Sequence, residues 1–116
     1  MLSNLEGLIF ADDQAGFLTG LIAGGVSSGL SKKVGAIGGL PIPPVKRFAN
    51  GFKLGVEHAC PDCSSTIIYC PFGGATESTT GLACPGTFAD AVFGVGVAKY
   101  LITTVGVDVI LSLIHI

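Results

Sequence analysis

Residues 34–37, Val-Gly-Ala-Ile, form a short apolar run that stops at Gly38-Gly39 and is followed at once by Leu40-Pro41-Ile42-Pro43-Pro44-Val45-Lys46-Arg47-Phe48. The order is a strand, a loop stiffened by prolines and the start of a helix, because proline is favoured in a first helical turn where its missing N–H costs nothing. In an open α/β sheet a loop of this kind lies at the carboxyl end of a strand, where ligands bind. The chain therefore reads as part of a ligand-binding α/β domain.

The flanking segments repeat the pattern. Leu8-Ile9-Phe10 reads as the end of a buried strand, and Ala11-Asp12-Asp13-Gln14 offers polar groups suited to a helix start. Asp12 and Asp13 read as helix caps, favoured there by the helix dipole. Phe17, Leu18, Leu21, Ile22 and Val26 then recur at helical spacing, which predicts an amphipathic helix ending within residues 29–31. After the 34–37 strand, Val45, Phe48, Phe52 and Val56 give the next helix its buried stripe, with His58 as a dipole partner at its end. Thr66-Ile67-Ile68-Tyr69 is the following strand. A loop rich in Gly, Ser, Thr and Pro runs over residues 71–85. Residues 90–104 are predicted helical, with Phe93, Val97, Leu101 and Thr104 along one side and Gly106 as the stop. A last strand covers 107–110.

Strands alternating with helices argue a parallel sheet with right-handed crossovers. All strand-to-helix loops then share one edge, so residues 11–13, 38–44 and 71–89 form the expected ligand side. The final six residues, 111–116, fit this scheme poorly; they resemble a translated sequencing adapter and read as a non-native tail.

Composition narrows the function classes. The 116 residues are 49% hydrophobic and only 12% charged, oily for a small domain standing alone and consistent with a fragment of a larger protein. A net charge of −2 leaves no basic footprint for nucleic acid. The longest apolar candidate for a membrane span, residues 15–30, is broken by Thr19, Ser27, Ser28 and several glycines. Residues 1–6 have no basic region or small-residue cleavage site and do not read as a signal peptide. No Ser, Cys or His sits in a nucleophile arrangement, and residues 35–39 lack the spacing of a Walker or dinucleotide fingerprint, so neither catalysis nor a cofactor is expected.

The four cysteines, Cys60, Cys63, Cys70 and Cys84, suggest zinc by count. Seven residues of strand would separate Cys63 from Cys70 by roughly 23 Å, beyond one tetrahedral site. Disulfides and free thiols stay open; among the three possible pairings, Cys60 with Cys63 and Cys70 with Cys84 suits the strand best.

With these residues in view, the chain resembles the basic membrane protein family, which comprises lipoprotein-type substrate-binding proteins of ABC transporters and includes purine nucleoside receptors. The resemblance runs through Asp12-Asp13-Gln14-Ala15-Gly16-Phe17-Leu18-Thr19-Gly20, the segment from Lys33 through Phe48, Asn50-Gly51-Phe52-Lys53-Leu54-Gly55-Val56, Gly86-Thr87-Phe88-Ala89-Asp90 and Gly106-Val107-Asp108-Val109-Ile110. It implies a partial type I periplasmic-binding-protein fold, a three-layer parallel sheet with flanking helices. Residues 1–11 would end the first lobe and cross the hinge at Phe10, Ala11 and Asp12, and residues 12–110 would form part of the second lobe.

The resemblance also implies a non-enzymatic, extracytoplasmic protein, membrane-anchored through a lipid or secreted, that delivers a purine nucleoside or similar solute to an ABC permease. Phe88 would stack on the base. Lys46, beside the cleft, would be a polar contact. Each has a plainer reading: Phe88 as a staple on the next helical turn, Lys46 as part of a solvated helix face. A ligand-sensing domain of the same fold and an α/β enzyme are the competing functions.

Overall fold

The computed structural model describes residues 11–70, 80, 82 and 91–113. Helix α1 (Asp12–Ser27) leads to strand β1 (Lys33–Gly38), α2 (Pro43–Ala59), β2 (Ser64–Tyr69), α3 (Ala91–Tyr100) and β3 (Val109–Ser112). The strands form one parallel sheet in the order β2-β1-β3, with Gly35 level with Thr66 on one side and with Ile110 on the other. The α/β parallel architecture expected from the sequence is the one observed. The predicted strand at 8–10 lies outside the described residues. Among the described residues no helix is long and apolar enough to cross a membrane.

Two apolar layers hold the sheet. On one face Val34, Ala36, Phe52, Val56 and Ala23 form a buried cluster beneath α1 and α2; on the other, Ile37, Ile68, Phe93, Val97 and Leu101 pack under α3. Phe52 and Phe93 are each 1% exposed, and burying a ring of this size contributes roughly 2–3 kcal/mol.

The face that α1 buries differs from the expected one. Leu18, Ile22 and Val26 are 62%, 69% and 52% exposed, whereas Gly16, Gly20 and Gly24 are buried. The cause is backbone-to-backbone packing against α2. A methyl group on Gly16 would strike the Phe48 carbonyl, one on Gly20 the Phe52 carbonyl, and reciprocally one on Gly51 or Gly55 would strike the Asp13 or Phe17 carbonyl. Hydrophobic periodicity counts side chains, so it cannot register a helix face whose contact is main chain. In α2 the stripe is also narrower than predicted: Phe52 and Val56 are buried with Ala49, but Val45 and Phe48 are only half-buried.

Helix α1 stops at Ser27, a few residues before the expected end, and the chain then turns, passing through Lys32 at φ 61°. That turn is clasped to the foot of β3. The Ser27 hydroxyl donates to Asp108 Oδ1 at 2.7 Å and the Ser31 N–H to Oδ2 at 2.9 Å. The Ser31 N–H is the main cause that holds the Asp108 carboxyl below its usual range, partial burial opposing it and the Ser27 hydroxyl adding to it.

The third helix departs from the sequence reading near its end. After Tyr100 the backbone widens into a π-helical turn, Leu101–Val105, and the Leu101 carbonyl accepts the N–H groups of both Gly106 and Val107 at 2.8 and 3.1 Å. The wider turn rotates Thr104 to the exposed side while Leu101 stays buried. Gly106 ends the element at φ 83°, as a left-handed glycine stop should. β3 then begins at Val109 and includes Leu111 and Ser112, and the Leu113 N–H donates to the Ile37 carbonyl at 2.7 Å. The start of the segment set aside as a tail is therefore paired in the sheet; residues 114–116 lie outside the described residues.

Candidate functional site

The topology singles out one place for a ligand. From β1 the chain passes through α2 to β2 on one side, and from β2 through α3 to β3 on the other, so successive crossovers lie on opposite faces. The strand order reverses between β1 and β3. In open parallel sheets the crevice beyond the carboxyl ends at such a switch is where ligands sit. Here that rim comprises Gly38, the 39–42 loop and the end of β3 at Ser112.

The loop is rigid for local reasons. Gly38 and Gly39 are buried, the Ile42 N–H donates to the Leu40 carbonyl at 2.8 Å, and Ile42 is extended ahead of the two prolines that open α2. The Lys46 N–H then closes the first turn on the Ile42 carbonyl at 3.0 Å. Across the rim, the Cys70 N–H donates to the Gly39 carbonyl at 3.0 Å, so the chain leaving β2 stays beside the loop.

Helix α1 starts at the same edge. Ala11 is its exposed N-cap and makes no side-chain cap bond, and Asp12 in the first turn reaches Arg47 of α2 at 3.4 Å. The expected capping role of Asp12 and Asp13 is thus not what the geometry shows: both stand within the first turn, facing the positive end of the dipole, and Asp12 bridges to the neighbouring helix. Lys46 is exposed in the first turn of α2, next to that bridge. The structure so brings Lys46, Ala11 and Asp12 to one edge. Phe88, Phe10 and Cys84 lie outside the described residues.

The cysteines divide between the two ends of the sheet. Cys60 and Cys63 are disulfide-bonded across the tight turn that joins α2 to β2, at the amino end of the strand. Cys70, at the carboxyl rim, is also in disulfide linkage and completely buried. His58, in the last turn of α2, lies with its ring 5.8 Å from that of Phe17.

A groove of about 610 Å³ runs over the helix pair, lined by Phe17, Leu18 and Leu54 together with Asp13, Arg47 and Asn50. No strand-end or 39–42 loop residue lines it, so it is separate from the switch-point crevice. Tyr69 is the rim residue that the sequence reading passed over, as one more β-favouring aromatic. Its only advance signal was its place at the end of a strand, one residue before a cysteine. The Asp12–Arg47 bridge had none, since 35 residues separate its partners.

A family model for ABC transporter substrate-binding proteins, PnrA-like (Bmp), matches residues 3–71. The chain belongs to the Bmp family. The match contains the whole of α1, β1, the proline loop, α2 and β2. Basic membrane protein A1 of Borrelia garinii subsp. bavariensis is 31% identical over 108 residues, 93% of this chain and 27% of that protein. A solved ABC transporter solute-binding protein from Conexibacter woesei superimposes with a TM-score of 0.61 at 23% identity, over 89% of this chain and 28% of its own; this likeness is one of fold. The Bmp chain described here thus spans about a quarter of the length of these relatives.

Proposed function

We propose that this Bmp-family chain is part of a two-lobed, extracytoplasmic substrate-binding protein that holds a purine nucleoside or similar solute between its lobes and presents it to an ABC permease. Residues 12–110 belong to the second lobe, residues 1–11 to the end of the first, and Phe10, Ala11 and Asp12 to the hinge about which the lobes close. The ligand is bound by stacking and hydrogen bonding without chemistry, and membrane attachment is through a lipid anchor. One observation carries the reading: the family match covers Gly38 and the 39–42 loop, the β1 side of the switch-point rim.

In this reading Phe88 supplies a stacking ring and Lys46 a polar contact at the rim. The Cys70 linkage supports it by fixing the chain where it leaves β2 toward Phe88. Calorimetric titration of inosine into the two-lobed protein carrying this sequence tests it. Phe88→Ala is expected to weaken binding by about 1–3 kcal/mol, and an unchanged Kd would remove Phe88 from the site.

A further inference from the structure

Tyr69 closes β2 at the carboxyl rim, level with Gly38 at the end of β1. Its ring lies along the Gly38 backbone: a methyl group on that glycine would come within 2.7 Å of Tyr69 Cε1. The ring is half-buried, and Tyr69 belongs to neither of the two apolar clusters that hold the sheet. Among the described residues nothing hydrogen-bonds its hydroxyl, and since no buried polar atom there is left unsatisfied, that hydroxyl reaches solvent.

From this geometry we infer that Tyr69, seated on Gly38, is a solute-contacting side chain that offers a flat face and a phenolic donor to a planar heteroaromatic ligand. The inference rests on the binding-protein reading above. A tyrosine is suited to the task because one end of it is apolar and the other is a hydrogen-bonding group that seeks a partner when desolvated. Burial pushes the Tyr69 phenol up from its ordinary value, so it remains a donor throughout the neutral range. Gly38 is then a fitted seat: any side chain there lifts the ring from the strand.

Inosine binding is measured by calorimetry on the two-lobed protein with Tyr69→Phe, Tyr69→Leu and Gly38→Ala, each checked for native circular dichroism. Removing the hydroxyl alone should weaken binding about two- to tenfold, and removing the ring about fivefold or more. Gly38→Ala should resemble Tyr69→Leu. If Tyr69→Leu fails to fold, the conservative Tyr69→Phe decides. Wild-type affinity in both Tyr69 variants, with Phe88→Ala impaired, would overturn the role of Tyr69 and leave the binding-protein reading intact. Impaired Tyr69 variants with a silent Phe88→Ala would support Tyr69 and remove Phe88. Absence of inosine binding by the unmodified protein would overturn the purine-nucleoside assignment and, with it, the role given to Tyr69.

Discussion

Alanine at Gly20 and alanine at Gly25 should move the stability of this chain in opposite directions, although both substitutions add one methyl group to the same helix. At Gly20 the new carbon would collide with the Phe52 carbonyl and stand 2.9 Å from the Val56 nitrogen and 3.0 Å from the Gly55 Cα. All three are main-chain atoms of α2, so no side chain can swing away and the two helices must part. Overpacking of this kind costs about 1–3 kcal/mol or more, against a helix-propensity gain of up to about 1 kcal/mol for replacing glycine. At Gly25 the methyl group meets nothing within 4 Å, and only the gain of about 0.5–1 kcal/mol remains. The propensity gain is common to both, so the two variants should differ by the overpacking cost, about 1–3 kcal/mol or more. Urea unfolding followed by circular dichroism reads this as midpoints displaced to either side of the parent at a common slope. Alanine at Gly20 as stable as alanine at Gly25 would refute the close backbone approach. Gly51→Ala combined with Gly20→Ala should cost less than the sum, because helices already spread by one methyl group accommodate the other.

Three further outcomes follow from local features. The Asp108 carboxyl is held below its unfolded value, so its contribution is full above about pH 3.9 and is lost as pH falls through its lower folded value; Asp108→Asn should flatten the fall of urea midpoint on acidification below about pH 4. Lys32 adopts φ 61°, and Lys32→Asn, which tolerates that conformation, should raise stability by up to about 1 kcal/mol, since the exposed Lys32–Asp62 pair at 3.7 Å is weak; a lower thermal midpoint would contradict this. The Cys60–Cys63 bridge closes a very short loop, for which the chain-entropy relation gives about 2 kcal/mol; the double alanine variant should lose about that much in urea, and a far larger loss would mean that packing of buried Cys60 dominates.

The elements that were legible in the sequence are those whose signal is local. Gly38-Gly39 and the two prolines fixed the end of β1 and the start of α2, and the spacing of Phe52 and Val56 found the buried side of that helix. The parallel sheet followed from alternation alone. What escaped shares a different cause. The buried face of α1 is made of Gly16, Gly20 and Gly24, residues with no side chain to count, so Leu18, Ile22 and Val26 took their place in the reading. Thr104 was misplaced because one turn of π-helix shifts register in a way that residue types do not encode. At the rim, the proline loop and Lys46 could be read from order along the chain, but the seating of Tyr69 on Gly38 depends on strand pairing, which joins residues 31 apart.

The clasp on Asp108 and the glycine seam act on α1 from two directions. One ties its last turn to the foot of β3; the other presses its length against α2, main chain to main chain. α1 is thus fastened both to the sheet and to its neighbouring helix. In the binding-protein reading proposed above, movement of the chain entering at Ala11 would carry α1, α2 and the sheet together rather than bend α1.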